Sequence, residues 1–221
     1  MPDFRARPQQ VEMSQFISDT MKRPPQQRMA VVEAPTGVGK TLAYLAGSIH
    51  IALANKKMLV ISTATVNLQQ QLMQKDLPQF AKTLDEPLKF VQAKGRRRYL
   101  CPSKLMSVVD SVDQQELSFD VDSKYLQQKR RQQAKTILEQ WDTQVWDGDR
   151  DSRKDTIVPD LWHQISTDSE GCAGKSCSQF MRCPYYMVKR EMATANVVVA
   201  NHDLVLSDAD LGGGLVLPNP E

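Results

Sequence analysis

The chain is short of cysteine and histidine and has almost no surplus of charge. Its 221 residues include 4 Cys and 3 His, and 28 Lys and Arg oppose 26 Asp and Glu, a net +2. That balance excludes a strongly basic arm or an acidic solvating tail, so partners have to be read from local clusters. No long apolar run is present. The longest, residues 42–54, is interrupted by Ser48 and His50 and falls short of the ~20 residues a membrane span needs. The first ten residues are polar and lack the apolar core of a secretory signal. These absences predict a soluble cytoplasmic chain with no membrane partner. In that compartment four cysteines read as ligands rather than disulfides. A composition of 41% hydrophobic and 24% charged residues excludes a collagen-like or wholly disordered chain. The length suits one large domain, or one core carrying a sizeable insertion.

Val11, Met13, Phe16, Ile17 and Met21 fall near helical spacing and predict a helix over 9–21. A loop with Pro24-Pro25 follows. Met29–Glu33 is a short apolar, β-branched run and predicts a buried strand. Residues 40–54 predict a helix, Met58–Ser62 a second buried strand, 66–74 a helix and Leu88–Gln92 a third strand. Helix and strand in alternation imply an α/β layered sheet. The pattern then stops. Residues 94–190 hold all four cysteines, all three tryptophans and no strong strand. Within them Lys124–Glu139 reads as an exposed charged helix and Asp147–Asp155 as a charged loop. A buried strand returns at Asn196–Ala200. A structureless loop of that length is improbable, so the pattern predicts an inserted domain. The last stretch, from Gly212-Gly213-Gly214 to Pro220, is loop-like.

Ala34-Pro35-Thr36-Gly37-Val38-Gly39-Lys40-Thr41 fits the phosphate loop G-x-x-x-x-G-K-[ST], with Ala34 in place of the first glycine. A strand before it and a helix after it are the expected context. Gly37 and Gly39 let backbone amides turn inward around phosphate oxygens. The following helix N-terminus adds positive potential. Lys40 would reach the β- and γ-phosphates of ATP, and Thr41 would hold Mg²⁺ through its hydroxyl.

The cysteine pattern is Cys101, a long gap, then Cys172-x4-Cys177-x5-Cys183-Pro184. Four thiolates suit a 4Fe–4S cluster or a four-thiolate zinc site. Structural zinc favours tight pairs, so gaps of four and five lean toward iron and sulfide but leave zinc open. Lys94-Gly95-Arg96-Arg97-Arg98-Tyr99 joins a basic turn to an aromatic ring, which suits a nucleic-acid backbone and a stacked base. The alternative is a solvated surface turn. Lys129-Arg130-Arg131 with Lys135 reads as a solvated helix face. Ser62–Gln69 places small hydroxyls at a strand end, where they could meet a phosphate or simply cap a helix. Arg7 and Gln10 precede the phosphate loop, and Gln10 could present its amide to an adenine edge. Asn201-His202-Asp203 follows the returning strand, where polar side chains often face a ligand crevice. A lone histidine there is more often structural.

Taken together these residues resemble the XPD-like superfamily 2 iron–sulfur DNA helicases. The matching segments are Glu33–Leu42, Val60–Ala64, Lys75–Pro78, Gly95-Arg-x-x-Tyr-x-Cys-Pro102, Trp146-Asp-Gly148, the three spaced cysteines 172, 177 and 183, and Val197–His202. They cover nearly the whole chain. The resemblance implies an α/β P-loop RecA-like parallel sheet, over 1–94 and 191–221, split by a helical 4Fe–4S domain over 95–190. It implies that Cys101, Cys172, Cys177 and Cys183 hold the cluster. Arg7 and Gln10 would sense adenine; Thr63, Thr65 and Gln69 would lie in a DNA-contacting motif. Arg96, Arg97, Arg98 and Tyr99 would line the path of single-stranded DNA. The implied activity is ATP-driven 5′→3′ unwinding of forks, displacement loops and RNA–DNA hybrids in DNA repair, by a monomer with a single-strand-binding protein as a partner. Two departures stand out. The family's Asp-Glu metal motif and its second motor domain, with an arginine finger, are not among these residues. The expectation is therefore a fragment, cut before that motif, that does not hydrolyse ATP at a helicase rate. Two rival readings remain: a non-enzymatic nucleic-acid-binding module with a zinc site, and a P-loop phosphotransferase acting on a small molecule.

Overall fold

Three strands pair into one parallel sheet: β1 (Leu59–Thr63), β2 (Phe90–Gln92) and β3 (Val197–Asn201). The computed structural model describes residues 7–112 and 121–218. The polar start as far as Ala6 and the tail from Asn219 lie outside the described residues. The strand order is β1-β3-β2, so the last strand in sequence is central. Leu59 faces Val197 on one side of it, and Phe90 faces Val197 on the other. Val197, Val198, Val199 and Ala200 are all buried, as expected of a continuous apolar strand covered on both faces.

The chain divides into two units, Met1–Ala93 with Glu191–Glu221, and Lys94–Arg190. In the first, Leu45, Ile49, Ile61, Leu72, Leu77, Phe80, Leu88, Val197 and Val199 form the core. Helix α1 (Pro8–Met21) packs on α2 (Lys40–Ala54). Gly47 makes that packing close: a Cβ there would sit 2.6 Å from the Ser14 carbonyl oxygen and 3.0 Å from the Ile17 Cβ. Alanine normally gains up to ~1 kcal/mol over glycine inside a helix. Here overpacking against a backbone atom costs about 1–3 kcal/mol, and it wins. Gly47→Ala is expected to lower the denaturation midpoint; a raised midpoint would show that α1 yields freely.

The predicted strand Met29–Glu33 does not form. No strand is assigned there, and Met29 and Val31 are 84% and 88% exposed. The run has the residues a strand favours, but a strand needs a neighbour to bond. Among the described residues it is not paired with either edge strand of the β1-β3-β2 sheet. The helix predicted over 66–74 is also modified. It runs as α3 (Val66–Gln71), a π-helical turn Leu72–Asp76 and α4 (Leu77–Ala81). Pro78 supplies the reason: it has no N–H to give and its ring crowds the carbonyl four residues back, so the turn widens ahead of it.

The second unit is helical: α5 (Pro102–Val112), α6 (Val121–Asp142), α7 (Pro159–Ile165) and α8 (Pro184–Met192), whose last turn leads back to the first unit. Its core gathers Leu100, Leu105, Ala134, Ile137, Trp141, Trp146, Leu161, Trp162 and Ile165. Three of those lie on α6, whose first side chains are outside the described residues. Ala134, Ile137 and Trp141 form a buried stripe at helical spacing, so the helix read as exposed is one-sided instead. Short antiparallel bridges join Tyr99 to Asp149 and Leu100 to Ser166. After β3, α9 (His202–Asp210) ends in a turn that is held in place. The buried Asp208 carboxylate accepts from the Gly214 and Val216 amides at 3.0 and 2.6 Å. Among the described residues no helix is long and apolar enough to cross a membrane.

Candidate functional site

The phosphate loop lies open in front of α2. Gly37 and Gly39 take φ of 84° and 88°, in the left-handed region that glycine enters freely. Lys40 folds over the loop, its Nζ donating to the Ala34 and Pro35 carbonyls at 2.8 and 3.0 Å. Those bonds hold the ammonium over the loop until a stronger acceptor arrives. Thr36 and Gly37 are exposed and Val38 is half-buried. One turn along α2, Thr41 hydrogen-bonds the Tyr44 side chain. Arg7 donates to the Gly37 carbonyl, and the Gln10 amide donates to the Gly39 carbonyl at 3.1 Å. Both side chains proposed to sense adenine are therefore tied to the phosphate loop itself. A side chain at position 39 would collide with the Gln10 amide.

The second unit brings Cys101, Cys172, Cys177 and Cys183 to one cavity of about 100 Å³. All four are free thiols and half-buried. Cys101 and Cys183 each cap a helix that opens with proline, an N1 residue that has no N–H to lose. The first backbone bonds of α5 and α8 run back to their carbonyls, from Leu105 at 3.0 Å and Met187 at 2.9 Å. Their sulfurs meet backbone N–H groups, of Lys104 in one case and of Tyr186 and Tyr185 in the other. The Gly174 amide donates to the Cys172 sulfur at 3.4 Å. Burial pushes the Cys101 and Cys183 thiols above their ordinary value; these amides pull them back, and the neighbouring thiols push them up again. A thiolate set in this cavity calls for positive charge.

Two cations on the wall supply it. Among the described residues of the cavity lining, Lys104 and Arg96 are the charged ones. Arg96 lies over the Tyr185 ring at 4.3 Å and the Tyr186 ring at 5.5 Å, and donates to the Tyr186 hydroxyl at 3.4 Å. Burial opposes its charge, but the Tyr186 hydroxyl, the phenols and Cys172 hold its pKa above the ordinary value. Among the described residues no three His, Cys, Asp or Glu side chains are gathered as a group that could hold a metal ion.

The residues assigned to DNA are placed unevenly. Thr63 is buried, with its hydroxyl donating to the Thr65 carbonyl at 3.2 Å. Gln69 is buried and accepts from the Gln92 amide at 3.1 Å. Thr65 is exposed and caps α3, its oxygen accepting from the Leu68 amide at 3.3 Å. Tyr99 is 4% exposed and stands edge-on to Tyr185, so its ring is not offered to a base. In the basic turn Arg96 faces the thiol cavity, and Arg98 pairs with Asp151. Arg97 pairs with Asp168 at 2.9 Å but is 74% exposed. Lys94 is spent on Asp149 and Asp151. In the other basic group Arg130 pairs with Asp160. The sequence reading saw basic residues here and missed the aspartates that fold back on them.

Asp168 carries a testable signature. Its carboxyl is held at about 2, against an ordinary 3.8, first by the Gly171 amide and then by Arg97. A lowered value means the contribution is present above the unfolded value and lost as pH falls toward 2. A carbon-13 titration of the carboxyl is expected to show that low midpoint. Arg97→Ala should raise it part of the way toward 3.8, because the Gly171 bond remains. An unchanged midpoint would show that the pair does not persist in solution.

Two positions were not legible beforehand, Gly171 and Thr167. A Cβ at Gly171 would lie 2.9 Å from the Thr167 Oγ1 and 3.3 Å from the Asp168 Oδ1. Thr167 lines the cavity and is buried, and its hydroxyl has no hydrogen-bond partner. The cysteine spacing and the segment Gly95–Pro102 pointed toward this cavity but not to either residue. Gly148, in the segment Trp146-Asp-Gly148, has φ of 82° and lies so close to the Pro184 ring that no side chain fits.

The comparisons agree with the loop. A DEAD/DEAH box helicase model matches residues 13–145. The chain is 39% identical over 224 residues to the ATP-dependent DNA helicase DinG of Escherichia coli (strain K12), covering 100% of this chain and 31% of that protein. It is 40% identical over 198 residues to DinG of Photobacterium profundum, covering 88% of this chain and 28% of that one. DinG of Salmonella typhimurium matches at 39% over 224 residues, 100% of this chain and 31% of that protein. The chain thus spans less than a third of the length of these curated relatives. With a phosphate loop opening α2 inside a match that takes in more than half of its residues, the chain belongs to the DEAD/DEAH box helicase family.

Proposed function

We propose that these residues form the nucleotide-binding and cluster-bearing part of an ATP-dependent 5′→3′ DNA helicase. One observation carries the reading: a phosphate loop built on Gly37, Gly39 and Lys40, in a chain whose four cysteines all meet at one cavity. The names of the relatives support the activity, and the division at Lys94 and Arg190 supports an inserted cluster domain over 95–190.

At the loop, Lys40 would exchange two carbonyls for the β- and γ-phosphates, and Thr41 would turn its hydroxyl to Mg²⁺. Arg7 and Gln10 hold the Gly37 and Gly39 carbonyls away from the phosphates, so the amides can face them. At the cavity the four cysteines would hold a 4Fe–4S cluster. The donors that support it are four thiols, capping amides and two cations on one cavity. Zinc on the same four thiolates is the rival reading, and metal content separates the two. When bound, the cluster supplies cross-linking and electron-accepting capacity. The cysteines would orient it, and Tyr99, Phe180, Tyr185 and Tyr186 line the cavity around them.

Of the DNA residues, Thr65, Arg97 and Arg98 are exposed; with Arg98 held by Asp151 and Arg96 at the thiol cavity, Thr65 and Arg97 carry the proposal, and Thr63, Gln69 and Tyr99 support the fold. The substrates proposed are single-stranded DNA, forks and RNA–DNA hybrids, with a single-strand-binding protein as a partner and a cytoplasmic location. ATP turnover at a helicase rate needs a metal carboxylate and a stabilising arginine, which the resemblance assigns to residues other than these. The test is single-strand binding across a salt series. Arg97→Ala is expected to reduce the slope of log K against log salt by about 0.7, one phosphate contact on a single strand. An unchanged slope would make the basic turn a structural one, held by Asp168 and Asp151.

A further inference from the structure

One buried hydroxyl at the thiol cavity has no partner in the protein. The Thr167 hydroxyl lines the thiol cavity, is almost fully buried and meets no acceptor or donor of the protein. Burying a hydroxyl without a partner costs about 1–3 kcal/mol, so such groups are rare and usually have a partner that the protein alone does not supply. The surroundings say which kind. A Cβ built on Gly171 would lie 2.9 Å from the Thr167 Oγ1, 3.3 Å from the Asp168 Oδ1 and 3.6 Å from the Lys104 Nζ. The Asp168 oxygen is taken by the Gly171 amide, so the hydroxyl is the group left without a partner at this glycine, next to Cys172. Arg96 stands on the same cavity, near the Cys172 sulfur. Among the described residues the cavity lining holds four cysteine sulfurs and two cations, Lys104 and Arg96, while the nearby Asp168 carboxylate is taken up by the Gly171 amide and Arg97.

We propose that Thr167 donates its hydroxyl hydrogen bond to a sulfur of the bound iron–sulfur cluster, with Lys104 and Arg96 balancing the cluster's negative charge. The assignment rests on the cluster reading above. Thr167 is a positioning residue and not a ligand: the four thiolates hold the iron. Its effect falls on the reduction equilibrium. One electron from an electrode enters the cluster, no bond to the protein forms or breaks, and the added negative charge strengthens a hydrogen bond to sulfur. Hydrogen bonds to the sulfurs and net charge are among the factors that set these potentials. Removing the donor therefore favours the oxidised form.

The experiment is a mediated spectroelectrochemical titration of the full 221-residue chain, reconstituted anaerobically with iron and sulfide. Thr167→Val keeps the shape and removes the hydroxyl; Thr167→Ser keeps the hydroxyl. The valine variant is expected to shift the one-electron equilibrium about tenfold toward the oxidised cluster, which is about 59 mV. The serine variant should titrate like the wild type. Equal midpoints in wild type and valine variant would overturn the assignment. Should the valine variant take up no cluster, the serine variant decides. Loading with a wild-type midpoint supports the hydroxyl. Failure of serine as well makes Thr167 a packing residue and overturns the role. Iron content of the wild-type chain keeps the two claims apart: a chain that takes up none overturns the cluster reading first, and this assignment with it.

Discussion

Cys172→Ser is expected to remove the cluster and loosen the Lys94–Arg190 unit while leaving the β1-β3-β2 sheet intact. The size of the effect follows from what the thiols hold. Where ligands come together only in the folded state, metal binding is folding energy, about 10–16 kcal/mol for structural zinc. The segments around Cys172 and Cys177 have little else. Cys172, Ala173 and Gly174 lead into a single 3₁₀ turn, Gly174–Ser176, and no residue of that turn is buried. The helices of the same unit do have a core, with Trp141, Trp146 and Trp162 in it. Loss of the cluster should therefore free the loops and spare the helices. Hydrogen exchange is the reading to make: faster exchange over 166–183, with little change in β3 or α2. Iron should fall from about four per chain to near zero. Full iron in the serine variant would remove Cys172 from the ligand set.

Lys40→Ala is expected to weaken nucleotide binding strongly and leave the iron content unchanged. A charge-assisted hydrogen bond contributes about 1.5–3 kcal/mol, and the lysine would make two, to the β- and γ-phosphates. Against that stand the two carbonyl bonds it gives up, at 2.8 and 3.0 Å. The gross gain of about 3–6 kcal/mol is partly cancelled by the bonds given up, so the expected loss in affinity is on the order of 10–100-fold, since each 1.4 kcal/mol is tenfold. A fluorescent-nucleotide titration reads the affinity and a metal assay reads the iron. The loop and the thiols lie in separate units, so the two should not move together. A fall in both would show that the sites are not independent.

What could be read beforehand depended on how local each feature is. The helix Lys40–Ala54 was predictable to its ends, because the phosphate-loop pattern ending in Gly39-Lys40 announces its start and its interior is rich in Ala, Leu and Ile. The strand at Val197–Asn201 was equally plain, as a β-branched run buried on both sides. Met29–Glu33 has the same composition and stays exposed, because pairing is decided by a neighbour that composition does not name. The stripe Ala134, Ile137 and Trp141 was hidden among lysines, arginines and glutamines that dominate α6. The cavity shows the same limit. Cysteine spacing singled out the ligands, but Thr167, Lys104 and Gly171 reach the wall through tertiary packing, with no motif to mark them. Tyr99 and Gln69 fail in the opposite direction: residues of the right type, in the right segment, whose side chains point into the protein.

The central claim is that four thiols around one cavity hold iron and sulfide in a chain that also carries a phosphate loop. Iron, sulfide and zinc content, with a visible spectrum, on anaerobically purified protein tests it most directly. About four iron and four sulfide per chain, with broad absorption across the visible, is the result expected of a 4Fe–4S cluster. One zinc per chain and no iron, even after anaerobic reconstitution with iron and sulfide, would contradict it.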